Sequence, residues 1–324
     1  VILLPHPDGT VRVTELGARR RIELEPGRSG VYVDRASIET TYPIALIQQV
    51  LEVCGFGWLC DAIARDEDPD LSLQRELALF VPADGLRGKR VLDFGCGAGG
   101  STCVLGRLLP ETEIVGVELN DRLLKLAAAR AEHHGLSGVQ FLASPAPNRL
   151  PTGIGSFDLV ILSAVYEHLL PDEREVLLRA LWSVLRPGGV LFLNQTPHRW
   201  FPIELHSTQL PLLNYLPLPI AARAAGRWSR QKGASWSTHD VTTHLRGGLR
   251  GATEREVLRF IGAPADILPP CRPGLGDRVD AWFSLLSPRH RAAKQLARLC
   301  LKAVYRLTGT VFTPNLTLAI RKPR

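Results

Sequence analysis

No methionine occurs in the 324 residues, and the chain opens on Val1. Both facts are expected of a chain that lacks its initiator residue. No apolar run reaches the ~18 residues of a membrane-spanning helix. The best candidate, Leu210–Ala225, is broken by Pro211, Pro217 and Pro219. No secretory signal is visible at the start. The six cysteines (Cys54, Cys60, Cys96, Cys103, Cys271 and Cys300) form no C-x-x-C pair and no dense framework. That argues against a disulfide scaffold, so free thiols in a reducing cytoplasm are expected. No basic patch interleaved with aromatics and no RNA-binding module is evident, which argues against a nucleic-acid partner.

What is present is a globular composition: 45% hydrophobic and 22% charged residues, too apolar for a disordered chain. The length accommodates one large domain, or one domain with a substantial annex. Charge is divided unevenly. Residues 1–197 carry a net −6 and residues 198–324 a net +13. The basic C-terminal third predicts either an anionic partner, such as a phosphate-bearing substrate or an anionic lipid surface, or simply a solvated arginine-rich face.

The first 40 residues read as short strands, because Thr10–Val13 and Arg21–Leu24 alternate polar with apolar side chains. Asp8-Gly9 and Pro26-Gly27 supply the turns. From Pro43 the period becomes helical through Ile44, Ile47, Leu51 and Cys54. Gly55 and Gly57 interrupt it, and Leu59 and Ile63 resume it. A further helix is expected over 71–81, stopped by Pro82.

From residue 90 to 195, strand and helix alternate. Strands are expected at 91–94, 113–120, 139–143, 156–162 and 190–193, and helices at 101–109, 121–134 and 171–185. That order predicts a parallel, doubly wound α/β sheet, with ligands beyond the carboxyl ends of its strands. His133 and His134 are expected at a solvated helix end, with Gly135 as the stop.

The organising stretch is Arg90-Val91-Leu92-Asp93-Phe94-Gly95-Cys96-Gly97-Ala98-Gly99-Gly100-Ser101-Thr102. A buried strand runs into four glycines and then into a helix. Glycine reaches positive φ without a Cβ clash, and the helix N-terminus presents free N–H groups to a ligand. Gly95, Gly97 and Gly100 fit the dinucleotide spacing G-x-G-x-x-G. Asp93, Gly95, Gly97 and Gly99 fit D-x-G-x-G-x-G instead. The glycines alone leave both open.

Four ordered features, taken together, resemble the class I S-adenosylmethionine (SAM) methyltransferases. They are Val91–Gly100; the acid Glu118 closing the second strand; Phe157-Asp158-Leu159-Val160 running into Tyr166-Glu167-His168-Leu169; and Leu185-Arg186-Pro187-Gly188-Gly189-Val190-Leu191. Nicotinamide enzymes usually share only the first two. The resemblance covers about residues 88–200. It implies a mostly parallel seven-stranded Rossmann-like sheet whose last strand, Leu316–Ile320, is antiparallel.

The implied organisation is an N-terminal lead and lid over 1–85 and a SAM-binding core over 86–200. Residues 201–324 would form a substrate-side annex. By resemblance, Asp93, Gly95, Cys96, Gly97 and Gly99 hold the methionine part of SAM. Glu118 takes the ribose hydroxyls, and Leu119 and Ser163 complete the contacts. Ser144, Pro145 and Ala146 flank the adenine. Members often place an Asp there, and this chain has none. Glu167-His168 is similar to the pair with which some small-molecule methyltransferases bind a divalent metal, alongside a carboxylate one turn earlier. Ala164 occupies that earlier place, so no metal is expected, and His168 is expected to be satisfied by backbone.

The stretch Asn194–His206 follows the fifth strand, at the mouth where an acceptor would enter. Imidazole is the usual positioned base near neutral pH, so His206 and His198 are the candidate bases, with Glu204 as orienter. The apolar run Leu210–Ile220 follows them. Thr253-Glu254-Arg255-Glu256 reads as a capping box opening a helix. The late helix 289–306 is basic and amphipathic, suited to core packing or to an anionic lipid surface.

The reading is therefore a cytoplasmic SAM-dependent methyltransferase acting on a small-molecule, glycan or lipid acceptor, with peripheral contact with an anionic inner-membrane surface in view. A non-catalytic SAM- or nucleotide-binding protein and an NAD-linked oxidoreductase are the alternatives.

Overall fold

The computed structural model describes residues 1–28, 30–68, 73–229 and 240–324. The strands are β1 (Ile2–His6), β2 (Gly9–Leu16), β3 (Arg19–Pro26), β4 (Ser37–Thr40), β5 (Arg90–Phe94) and β6 (Glu113–Glu118). They continue with β7 (Val139–Ala143), β8 (Phe157–Ser163), β9 (Leu185–Pro197), β10 (Asp266–Ile267) and β11 (Asn315–Arg321). The helices are α1 (Ile44–Cys54), α2 (Leu59–Glu67), α3 (Gln74–Leu77), α4 (Gly100–Leu108), α5 (Asp121–His133) and α6 (Pro171–Val184). After them come α7 (Leu218–Trp228), α8 (Val241–Arg246), α9 (Glu254–Ile261), α10 (Arg278–Leu285) and α11 (Arg291–Thr308).

Compactness separates two units, interleaved in sequence: residues 1–75 with 95–143, and residues 76–94 with 144–324. In the first unit, β1 to β4 form an antiparallel meander. Alternation places Val11 and Val13 of β2 opposite Leu24 and Ile22 of β3, and all four are buried. Each contributes about 1.5–3 kcal/mol of burial. They pack with Ile47, Val50 and Leu51 of α1 and Leu59 and Ile63 of α2. Gly55 (φ 83°) stops α1, so the two helices do not merge and their axes bend by 118°.

The predicted solvated end of α5 is corrected here. His134 Nε2 lies 2.8 Å from Asp66 Oδ2, His133 packs edge-on against Tyr42 with centroids 5.1 Å apart, and both rings are partly buried. Asp66 is fully buried and also accepts from the Tyr42 hydroxyl and from Arg107 Nη1 at 3.0 Å. Burial alone would raise its carboxyl pKa, but the bonds from His134 and Tyr42 hold it below the ordinary carboxylate value. A buried carboxylate must be answered by neighbouring donors, and His134 is one of them.

The second sheet has seven strands, mostly parallel as predicted. Five belong to the second unit in the order β10-β11-β9-β8-β5, and two, β6 and β7, to the first. β5 runs parallel to β8 and β8 to β9, β6 runs parallel to β7, and β11 is antiparallel to β9. Arg186–Gly189, predicted as a turn before a strand, is absorbed into β9. The register with β8 shifts between Phe157↔Leu185 and Leu159↔Val190, so the turn residues bulge within one long strand.

The helix predicted over 71–81 is shorter, only α3. Residues 71 and 72 lie outside the described residues. Glu76 of α3 accepts from Asn194 Nδ2 at 2.8 Å and from the Thr317 hydroxyl. Burial pushes the Glu76 carboxyl pKa up. Tertiary bonds from β9 and β11 thus hold the segment that the helical period suggested would continue. No single helix among the described residues is long and apolar enough to cross a membrane.

Candidate active site

The glycine loop behaves as its spacing requires. Gly95, Gly97 and Gly99 all take left-handed φ values of 75°, 56° and 76°. A Cβ on Gly99 would sit 2.6 Å from Ala127 Cβ, so this glycine lets the loop lie against α5. A Cβ on Gly97 would meet nothing within 4 Å, so this side of the loop opens on free space. Glu118 ties the loop to the end of β6. Its Oε2 accepts from Gly97 N at 2.9 Å, and its Oε1 accepts from Leu119 N and Asn120 N at 2.8 and 2.9 Å. Each carboxylate oxygen carries two lone pairs; Oε1 is fully used, and one site on Oε2 remains for a ribose hydroxyl. An open glycine beside an acid already positioned by three N–H groups fits the adenosine end of a cofactor. Cys96 is partly buried in the same loop, with its N–H donated to Val117 O.

In the second unit, Asp93 is buried at the end of β5. The Ser144 hydroxyl lies 2.8 Å from both Ala146 O and Arg149 O and closes the loop that Pro145 exposes. Ser163 ends β8 in register with Asn194 of β9. The next residue of each strand is backbone-strained. Ala164 and Gln195 sit at φ 54° and 59°, a region that side-chain-bearing residues seldom occupy and that collects at functional sites.

At those carboxyl ends lies a polar cluster. Glu167 and His168 occupy a 3₁₀ turn, Tyr166–His168, after β8, and His206 folds back from the loop after β9. One donor atom from each of the three lies within 4.8 Å of the others. Glu167 is fully buried. Its Oε2 accepts from Thr196 Oγ1 at 3.0 Å, while its Oε1 has no hydrogen-bond partner. His168 Nδ1 lies 2.7 Å from Arg246 O. A carbonyl only accepts, so Nδ1 carries the proton and Nε2 of the neutral ring is left with a lone pair. Arg246 in turn makes two 2.6 Å bonds to Glu173 at the start of α6. The backbone satisfaction expected for His168 is therefore met, and the ring also faces His206, with centroids 5.4 Å apart.

His206 is partly buried, and its ring lies against Gly248. A Cβ at Gly248 (φ 84°) would come within 2.5 Å of His206 Cδ2 and 2.8 Å of Nε2. Only glycine leaves room for the ring. Glu204 acts on this histidine through the backbone. The buried carboxylate accepts from His206 N at 2.9 Å, from the N–H and hydroxyl of Ser207, and from those of Thr208. It shapes the turn that delivers the ring.

His198 is placed apart from the cluster. It is 2% exposed, it stacks edge-on against Phe312 at 4.9 Å, and its Nδ1 accepts from Trp200 N at 3.2 Å. Burial pushes its pKa down to about 4. A ring buried neutral binds fewer protons than the unfolded chain between about pH 4 and the ordinary imidazole value of about 6.5. Stability therefore falls as pH drops through that window, by up to roughly 3 kcal/mol. Urea unfolding at pH 7 and pH 4.5 should show a smaller acid loss for His198→Phe than for the parent. Equal losses would place the acid sensitivity elsewhere.

Glu167, Thr196 and Gly248 are the site residues that motif spacing did not single out as a group. The glycine pair at 247–248 between two helices was the one available signal for the last.

Residues 91–189 match the family described as a methyltransferase domain. Over that stretch the chain is similar to the class I SAM-dependent methyltransferase superfamily. Relatives in this superfamily include a demethylmenaquinone methyltransferase of Lactococcus lactis, 30% identical over 41% of this chain and 52% of the relative. A phthiotriol/phenolphthiotriol dimycocerosates methyltransferase of Mycobacterium ulcerans is 40% identical over 40% of this chain and 49% of its own length. Among solved structures, the SAM-bound amino pentose methyltransferase CalS10 of Micromonospora echinaspora is 32% identical over 37% of this chain and 49% of that one, with a TM-score of 0.30. The chain thus matches about half the length of each of these methyltransferases.

Proposed function

We propose that this methyltransferase passes the methyl group of SAM to a protic oxygen or nitrogen of a small-molecule, glycan or lipid acceptor, and that His206 takes the proton released. The acceptor atom bonds to the methyl carbon, the carbon–sulfur bond breaks, and the sulfonium becomes a neutral thioether. The acceptor's proton leaves to the imidazole. The observation that supports this reading is the Glu167–His168–His206 cluster beyond the ends of β8 and β9. Relatives named for quinone and lipid methylation are consistent with a small acceptor.

The test has two parts. Calorimetry should show binding of SAM and of its demethylated product and none of NAD. Incubation of extract with methyl-labelled SAM should yield a labelled small molecule. NAD binding without SAM binding would sink the proposal, and SAM binding without any labelled product would favour a non-catalytic role.

A second reading is favoured by Oε1 of Glu167, which is buried, accepts no hydrogen bond and lies 3.8 Å from His168 Nε2. Two imidazoles and a carboxylate are a donor set for a divalent ion of the zinc, manganese or iron(II) type. When bound, such an ion supplies Lewis-acid lowering of a hydroxyl's pKa. Dialysis against EDTA separates the readings. Undiminished turnover supports His206 as base, and turnover lost with EDTA and restored by one divalent ion supports the metal.

A further inference from the structure

A second recess is lined in part by His198 and Trp200 of the stretch that follows β9. α9 and α11 border a groove of about 880 Å³, within the range that holds small organic ligands. Trp200, Leu258, Val304 and Phe312 give it apolar walls, and His198 lines it as well. The depressed pKa of that histidine reflects the same dry surroundings. At the rim stand Arg255 and Arg259, four residues apart on α9 and both exposed. Among the described residues neither forms an ion pair. The neighbouring Glu254 is already answered by Arg278 at 2.5 Å. The groove is therefore apolar inside and positively charged at its edge.

α11 behaves unlike a packed surface helix. None of its residues is buried. Lys302 lies 2.7 Å from Asp280, and Arg298 Nη2 lies 2.7 Å from the same carboxylate. Burial alone would raise the Asp280 pKa, but these two cations hold it down to about 2. The charged face is thus turned inward on α10, and the leucines are turned out: Leu296, Leu299 and Leu307 are 64%, 56% and 86% exposed. The apolar surface of the groove continues onto this stripe through Val304.

We propose that the groove binds the hydrocarbon chain of an anionic amphiphile, with the headgroup against Arg255 and Arg259. The proposal goes beyond the methyl-transfer reading, because none of Glu167, His168 and His206 lines the groove. The binding itself requires neither SAM nor turnover.

Dodecyl phosphate below its micellar concentration is the probe, titrated calorimetrically into the full chain. One molecule should bind per chain, with inorganic phosphate and dodecanol each at least tenfold weaker. Val304→Trp fills the groove from a partly exposed position and should weaken binding at least tenfold. Arg259→Glu should do the same through the headgroup. Both should leave SAM affinity and the melting temperature in place. Unchanged affinity in both variants would overturn the proposal. So would binding seen only with anionic vesicles and abolished by Leu299→Asp rather than by Val304→Trp, since that result assigns the stripe to a membrane surface. Intact SAM binding without amphiphile binding leaves the methyl-transfer reading standing and removes this one.

Discussion

His206→Ala is expected to lower turnover by about 10²–10⁴-fold with SAM affinity unchanged. The ring is held over Gly248 beside Glu167 and His168, and the backbone N–H of His206 is donated to the buried Glu204. Nothing in that arrangement involves the glycine loop or Glu118, so cofactor binding should not register the change. If the imidazole takes the proton, the deficit should shrink as pH rises, because the acceptor then ionises unaided. A deficit that is constant with pH and accompanied by loss of a bound divalent ion would assign the ring to a metal instead. A fall of under about tenfold, roughly 1.4 kcal/mol, would leave His206 as a packing residue and proximity as the source of the rate. Glu204→Ala offers a control. It keeps every atom of the imidazole but releases the turn from which the ring projects. It should therefore reproduce part of the His206→Ala deficit while the pH dependence of the remaining activity keeps its shape.

The parts of this site that were legible in the sequence are those whose physics is local. Positive φ at Gly95, Gly97 and Gly99 follows from a strand turning directly into a helix, and glycine spacing reports it. An acid at the tip of the next strand is likewise a short-range pattern, and the structure places Glu118 against that loop. The antiparallel last strand came with the family resemblance and is β11. The Glu167–His168–His206 group was not legible as a group. Its members come from two loops, and what joins them is the return of the chain after β9 and a glycine at 248 that makes room for a ring. Ala164 stands where a third ligand would be, and its left-handed backbone is a feature that composition does not reveal.

Amphipathic patterns proved ambiguous for a related reason. A period of three to four residues shows that α11 has two faces, but it does not say which face is covered. Here Asp277 and Asp280 draw the cations inward, and the apolar stripe is left outside. The histidine pair at the end of α5 is ambiguous in sequence for the same reason. Its partner, the buried Asp66, lies far earlier in the chain, and only the fold brings a buried carboxylate to that helix end.

Glu118→Ala is the second substitution with a large expected effect, and it should act on affinity rather than on the chemical step. Two contributions add. The ribose loses a charged acceptor for one hydroxyl, a bond worth about 1.5–3 kcal/mol. The loop loses the carboxylate that gathers Gly97 N, Leu119 N and Asn120 N. Without it, Gly97 is free to leave the left-handed conformation that keeps its open side toward the ligand. The ribose term alone predicts SAM binding weaker by about 10–10²-fold. Glu118→Gln separates the two contributions. The amide oxygen still accepts from backbone N–H groups, so the loop should hold its shape, and the loss should be smaller than for alanine. Calorimetric titration of SAM into the three proteins, with melting temperatures measured alongside, decides the matter. Equal losses for Gln and Ala would mean that the charge itself carries the effect. Unchanged affinity in both would move the ribose contact to another residue and would leave Glu118 as a loop anchor alone.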